Sequence, residues 1–350
     1  MRGERGKRAR STILDVARLA RVHPSTVSRI LNDRPGLTLR PETRARVLAI
    51  SKRLDYRPSA LARSLRLQRT LTLGMLVPDI ANAFLAGIIK GAEEACHERG
   101  YTLIVCNTAD VPEREATYLR VLRERQVDGV LVASARLSDE SIGSLLAERF
   151  PVALVNRGTH VDRGTRGNDD LWVHVDDRGG AVAAIDHLAA LGHRRIAHVA
   201  GPQTTTTGRE RLVGTRAALR RHGLTGTIVE AEAWSEVEGY RAARQLLRGD
   251  PPSAIFAAND LIAFGVLRAA REAGLDVPED VALVGFNDIP EAALVDLSTV
   301  HVPQHEMGAR AAELLIARAE GRPIAEPRIL LETRLVARGS SAPAKERVTA

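Results

Sequence analysis

From Thr70 onward the chain repeats one pattern, a short apolar run followed by an amphipathic stretch with helical spacing. LTLGMLVPD, YTLIVCNT, VDGVLVAS and PVALVNR read as strands, and AFLAGIIKGAEEACHERG, EREATYLRVLRERQ and SDESIGSLLAERF between them read as helices. Strands that are apolar throughout are buried on both faces, so the alternation predicts a parallel sheet covered by helices on each side. A second series runs from VHVDDRGGAVAAIDHLAALG through RRIAHVAG, GTIVEAE and AIFAAND to VALVGFND, again with helical stretches between the strands. Two doubly wound α/β halves in tandem predict two lobes with a cleft at the carboxyl ends of both sheets. Aromatic residues make up only 3% of the chain, so the core has to be built from Ala, Leu, Val and Ile.

The first 69 residues are different. They carry 18 Lys+Arg against 5 Asp+Glu, whereas the chain as a whole is only +7, so a basic head precedes a mildly acidic body. That segregation implies a polyanion partner for the head alone. Within the head, TILDVARLARVHPSTVSRILN reads as two short helices broken by a tight turn. Ile13, Val16, Ala17, Leu19 and Ala20 form the apolar stripe of the first, with Thr12 and Asp15 placed for a reciprocal cap. Arg21, Val22 and His23 make the turn, and Pro24 opens the second helix where a missing N–H costs nothing. Val27, Ile30 and Leu31 bury one face of that helix; Ser25, Thr26, Ser28, Arg29 and Asn32 stay outside, a donor-rich face of the kind that lies in a DNA major groove. Pro41 starts a third helix with Val47, Leu48, Ile50 and Leu54 inward, and Thr43 and Arg44 at its start can hold a phosphate.

The run D-V-A-x-x-A-x-V-x-P-x-T-V-S-R-x-L-N resembles the DNA-binding head of the lactose-repressor family of bacterial transcription regulators. It departs at His23, where that family usually has a Ser that caps the second helix and touches phosphate. The resemblance implies base contacts from Ser25 and Arg29, apolar contact from Pro24, and phosphate contacts from Thr12, Thr26, Ser28 and Asn32. It also implies that Ser59–Arg66 is a hinge that folds when two copies meet on DNA, with Leu65 wedged into the minor groove and Ala62 and Arg66 among the DNA-binding residues. The expected division is a basic arm, 1–11, disordered; a helix-turn-helix head, 12–58; a hinge, 59–69; a body, 70–338, switching lobes near 172–176 and 298–302; and a disordered tail, 339–350. Partners implied by the family are a near-palindromic double-stranded operator, a second copy of the chain and a small effector that shifts the relative angle of the lobes. The tail lacks heptads, which argues against a C-terminal coiled-coil tetramer.

The body carries no G-x-x-x-x-G-K-[ST] loop, no G-x-G-x-x-G opening a helix and no G-x-S-x-G elbow, which argues against an enzyme. His301 and His305 are four apart, but Pro303 between them spoils a helical metal pair, and no cofactor is expected. Cys96 and Cys106 lack metal spacing and read as free thiols; no apolar run of about eighteen residues or signal peptide is visible, so no membrane partner and a cytoplasmic chain are expected. For the cleft, Asn259, Asp260 and Asp288 sit at strand tips and match the family's A-N-D-x-x-A-x-G and V-G-x-x-D motifs. The family aspartate matching Asp288 contacts effector, while Asn259 and Asp260 are equally readable as turn caps. Arg211 matches a family arginine that reaches the effector, and Phe84 and Trp234 match cleft aromatics. Asn156 and Arg157 end a strand and can donate into the gap, and Thr204–Thr207 reads as a solvated loop near the mouth. Polar groups beside an aromatic platform suit a sugar but equally a nucleoside or a purine, and a protein co-regulator or a carbohydrate-acting enzyme are the remaining alternatives.

Overall fold

Thr12 begins the head by a reciprocal cap. Its side chain accepts from the Asp15 N–H, and the Asp15 carboxylate accepts from the Thr12 N–H, closing the start of α1 (Ile13–Ala20). Arg21 takes a left-handed φ of 52° and turns the chain toward α2 (Pro24–Leu31). There Nδ1 of His23 accepts from the Ser25 N–H at 3.3 Å, so an imidazole supplies the cap in place of a hydroxyl. In α3 (Pro41–Arg53), Arg46 donates from Nε to the Ala20 carbonyl at 3.0 Å and ties the third helix to the end of the first. Val16, Ala17, Ala20, Val27, Ile30 and Val47 form the small shared core. Leu19 and Leu48, expected inside, are 43% and 44% exposed. Each helical residue advances by about 100°, and both leucines fall beside the stripes defined by the buried positions rather than on them.

The computed structural model describes residues 11–31, 40–56, 69–159 and 170–344, and separates into two units, Met1–Thr70 and Leu71–Ala350. Asn32, Ala62, Leu65 and Arg66, together with most of the expected arm and hinge, lie outside the described residues.

The second unit holds two six-stranded sheets. The first has the order β11-β5-β4-β3-β1-β2, from β1 (Thr72–Val77), β2 (Thr102–Asn107), β3 (Gly129–Val132), β4 (Val152–Val155), β5 (Leu171–Val175) and β11 (Arg328–Leu331). The other has the order β12-β10-β9-β8-β6-β7, from β6 (Ile196–Ala200), β7 (Thr227–Glu230), β8 (Ala254–Ala257), β9 (Ala282–Asn287), β10 (Ser298–His301) and β12 (Arg334–Val336). All pairings are parallel except β10 with β12. The helices of the first lobe are α4 (Ala83–Glu98), α5 (Pro112–Glu124) and α6 (Glu140–Ala147); those of the second are α7 (Asp177–Ala190), α8 (Thr206–Arg221), α9 (Glu236–Leu246), α10 (Asp260–Glu272) and the short α11 (Pro290–Leu294). The chain crosses between lobes at Asp176, at Val302–Pro303 and again at Glu332–Thr333. After the second crossing, α12 (Gln304–Ala319) returns to pack on α4 and on β3, β4 and β5 of the first lobe.

The α4–α12 contact is close because two glycines face it. A Cβ on Gly91 would collide with the His305 carbonyl, and one on Gly308 with the Ile88 carbonyl, so each helix sets bare backbone against the other. The expectation of a disordered tail fails over residues 339–344. Ser340 is buried, receives the Ser298 N–H at 2.8 Å and donates to the Leu283 carbonyl at 2.7 Å, while the Leu283 N–H reaches the Ser340 carbonyl. His187 meets Ser341, and His193 meets the Ala342 carbonyl at 2.9 Å. A hydroxyl-rich strap with an acceptor at each step can be tied down without apolar side chains, which is why hydropathy does not reveal it.

Candidate functional site

The two sheets point their carboxyl ends at one cavity between the lobes. Pro78, Asn82, Phe84 and Leu85 come from the β1–α4 turn, Ala133 follows β3, and Asn156 and Arg157 follow β4. The second lobe adds Thr207 and Arg211 from α8, Trp234 after β7, Asn259 after β8 and Asn287 at the end of β9. This is the crevice that doubly wound sheets leave for ligands. Asn82 and Asn259 cap α4 and α10: the first accepts from the Phe84 N–H at 3.0 Å, the second from the Ile262 N–H at 2.8 Å. Asn156 has a φ of 63° and Asn287 a φ of 116°, conformations that most side chains avoid, so both strand ends are strained where they meet the cavity. Trp234 lies against Gly201, where a Cβ would strike the indole ring. Asn156 Oδ1, Asn287 Oδ1 and Trp234 Nε1 are buried with no partner among the described residues.

Arg211 is the charged floor of the cavity, only 2% exposed. Its Nε donates to Asp177 Oδ1 at 2.7 Å and its Nη1 to the Ala258 carbonyl at 2.6 Å, while the guanidinium stacks 3.7 Å from the Phe286 ring centroid. Burial pushes the Asp177 carboxyl up from its ordinary value and the adjacent guanidinium pulls it back. Removing one partner of such a pair strands the other, at a cost of about 3–5 kcal/mol. Beside it, Asp260 is fully buried, receives the Thr299 hydroxyl at 2.6 Å and the Ile289 N–H at 2.9 Å, and burial pushes its carboxyl up to about 7. Across the cavity, Arg157 donates from Nη1 to Asp110 at 3.0 Å. The lobes meet at the mouth, where the Leu137 N–H donates to the Thr204 carbonyl and the Gly158 N–H to Thr206 Oγ1, each at 2.9 Å.

The model for bacterial regulatory proteins of the lacI family matches residues 12–59, and that for a periplasmic binding protein-like domain matches residues 185–341. The ribose operon repressor of Escherichia coli (strain K12) is 37% identical over 339 residues, which cover 95% of this chain and 100% of that protein. The chain belongs to the lacI family. It is a DNA-binding transcriptional regulator, with a helix-turn-helix head and a two-lobed periplasmic-binding-protein-like body. Among solved structures, the lac repressor dimer bound to operator and the anti-inducer ONPF superposes with a TM-score of 0.82 at 26% identity, covering 95% of this chain and 100% of that one. A LacI family transcriptional regulator from Enterococcus faecium with bound ribose superposes with a TM-score of 0.67 at 30% identity, covering 78% of this chain and 100% of that one.

In this lacI-family chain the residues named from sequence divide in two. Phe84, Asn156, Arg211, Trp234 and Asn259 line the one cavity together. Asp260 lies behind it, occupied with Thr299 and Ile289. Asp288 points elsewhere: its Oδ1 accepts from Arg338 at 2.7 Å and its Oδ2 meets His301 Nδ1 at 2.9 Å. The neighbouring Asn287 takes the cavity position instead, at the end of β9 where Asn287 and Asp288 both leave the extended conformation, with φ of 116° and 56°. Thr204–Thr207 is not a solvated loop. Thr205 and Thr207 are buried, Thr205 caps α8 at Gly208, and Thr204 and Thr206 bridge the lobes. Asn82 and Asn287 were not singled out in the sequence, and Thr207 was named only within the loop Thr204–Thr207; the N-cap position of Asn82, two residues before Phe84, was the available signal.

On the head, Thr12, His23, Ser25, Arg29 and Arg44 are exposed, and Pro24, Thr26, Ser28 and Thr43 are partly so. Thr12 Oγ1 is engaged with Asp15 at 2.7 Å, and Ser25 Oγ with His23 at 2.8 Å. Among the described residues no His, Cys, Asp and Glu cluster could hold a metal, His305 pairing with Glu94 at 2.7 Å, and no helix is long and apolar enough to cross a membrane.

Proposed function

We propose that this regulator is a homodimeric repressor of the cytoplasm whose affinity for a near-palindromic operator is set by a sugar-like metabolite held between the lobes. The observation that carries the effector reading is the set of buried, unpartnered polar atoms around the cavity: Asn156 Oδ1, Asn287 Oδ1 and Trp234 Nε1. An unmet buried polar group costs about 1–3 kcal/mol, and a polyol returns that energy by offering hydroxyls as donor and acceptor at once. The indole of Trp234 gives such a ring an apolar face to lie on. Two of the relatives support the sugar reading by name, one a ribose operon repressor and another carrying ribose. A ligand that bridges the lobes favours one lobe arrangement and biases the operator-binding equilibrium through that difference in affinity.

On DNA, Ser25 and Arg29 read base edges, Pro24 gives apolar contact, and Thr12, His23, Thr26, Ser28, Asn32, Thr43 and Arg44 hold phosphates. The hinge residues Ala62, Leu65 and Arg66 enter the minor groove between the two half-sites. The test selects bound fragments from a random duplex library with the full chain, then repeats the binding with Arg29→Ala. Loss of the selected sequence with residual salt-sensitive binding is expected; retention of the same sequence at similar strength would show that another surface reads the bases.

A further inference from the structure

The cavity has more donors than acceptors. Asn82 and Asn259 spend their carbonyl oxygens on helix caps, which leaves their NH₂ groups as the halves able to serve a ligand. Trp234 Nε1 can only donate. Arg211, which lines the cavity, uses Nε and Nη1 on Asp177 and Ala258, and Arg157 uses one Nη1 bond to Asp110. Against these stand two amide acceptors, Asn156 Oδ1 and Asn287 Oδ1, each on a side chain more than nine-tenths buried and without a partner among the described residues. Among the described residues the charged lining consists of Arg157 and Arg211 alone, and no carboxylate faces the cavity.

The two guanidiniums are not equally neutralised. Arg211 has a buried counter-ion in Asp177. Arg157 is 8% exposed, yet its carboxylate, Asp110, is 50% exposed and sits on the solvent side, where water weakens its hold. The Arg157 charge is close enough to be felt at Arg211. A desolvated cation with a solvated partner gains most from an anion delivered on its dry side.

We propose that the effector is a monosaccharide bearing an acid group, carboxylate or phosphate, whose anion docks on Arg157 while its hydroxyls donate to Asn156 and Asn287. This rests on the interlobe cavity being the effector site. The test is calorimetric titration of the full chain with matched pairs at constant ionic strength: D-galactose and D-galacturonate, D-glucose and D-glucuronate, D-ribose and D-ribose 5-phosphate, with hypoxanthine alongside. At least one acid should bind about tenfold or more tightly than its neutral partner, a gain of the size charged hydrogen bonds supply. Which arm responds distinguishes carboxylate from phosphate. Arg157→Gln and Asn287→Asp should each weaken that acid about tenfold, while Arg157→Lys, which keeps the charge, should restore most of the affinity and shows that the site still folds. A neutral sugar or hypoxanthine that binds as well as every acid overturns the proposal, as does a blank from all the acids. If the winning neutral compound is lost in Trp234→Ala, the cavity remains the effector site and only the acid group falls. If an acid binds but neither Trp234→Ala nor Arg157→Gln affects it, the cavity reading falls as well.

Discussion

At the scale of single residues, Asn287 and Asp288 show how narrow the line is between a binding group and a structural one. Asn287→Ala should weaken effector binding about tenfold or more, since one buried polar contact is worth about 1–3 kcal/mol. Asp288→Ala should instead lower the thermal midpoint, because it strands Arg338 and His301, with effector affinity nearly unchanged. Titrations of both variants with the identified effector separate the two roles. The motif V-G-F-N-D was legible, but which of its last two residues faces the cavity was not, because Asn287 and Asp288 both leave the extended conformation and the period-2 rule of a strand stops applying there. Asp260 was readable only as a strand-tip acid, because its partners Thr299 and Ile289 are far along the chain. Its carboxyl is pushed up to about 7 from 3.8, so between those values the folded chain holds a proton that the unfolded chain has released. That contribution is complete below the unfolded value and is lost as pH rises through the folded one. Glu115, also held near 7 by burial, adds the same sign, and His198, held down to about 4, the opposite sign. Comparing parent with Asp260→Asn at each pH isolates the one group: the fall in midpoint from pH 5 to pH 8 should be shallower in the variant, and parallel curves would refute the buried acid.

Elements with strong periodicity were legible in the sequence, and those made by contact were not. The strands from β1 to β9 are short runs bounded by turns, most of them apolar, and helices such as α9 and α10 carry clear apolar stripes. β11 and β12 are short, with an exposed Leu330 and charged ends at Arg328 and Arg334, so hydropathy has little to register. What places them is the edge of each sheet, a partner supplied by the fold. α12 illustrates the same point through Gly91 and Gly308, whose bare backbones let it lie against α4. Gly91→Ala should force the helices apart and cost about 1–3 kcal/mol, as overpacking does. Thermal unfolding of the body checks this; an unchanged midpoint would mean the interface yields without penalty.

For the whole molecule, the two-lobed plan and the division between head and body were visible from strand–helix alternation and from charge, because both are properties of long stretches. The closing strap was not, since Ser340, Ser341 and Ala342 act through hydroxyls and carbonyls. A chain ending at Arg338 should lose the buried bonds of Ser340 and unfold a few degrees lower, each bond being worth about 1 kcal/mol; heating the shortened chain beside its parent would reveal a strap without effect. The crossings have a consequence in time. The head's last described helix ends at Arg53, whereas the first lobe lacks α12 until Ala319 and its edge strand β11 until Leu331. On a ribosome, therefore, the DNA-reading part is available long before the part that would answer a metabolite, and a product released early would carry the first without a finished version of the second. Control over the operator is thus supplied well after DNA reading, because the chain returns to complete its first lobe only after building the second.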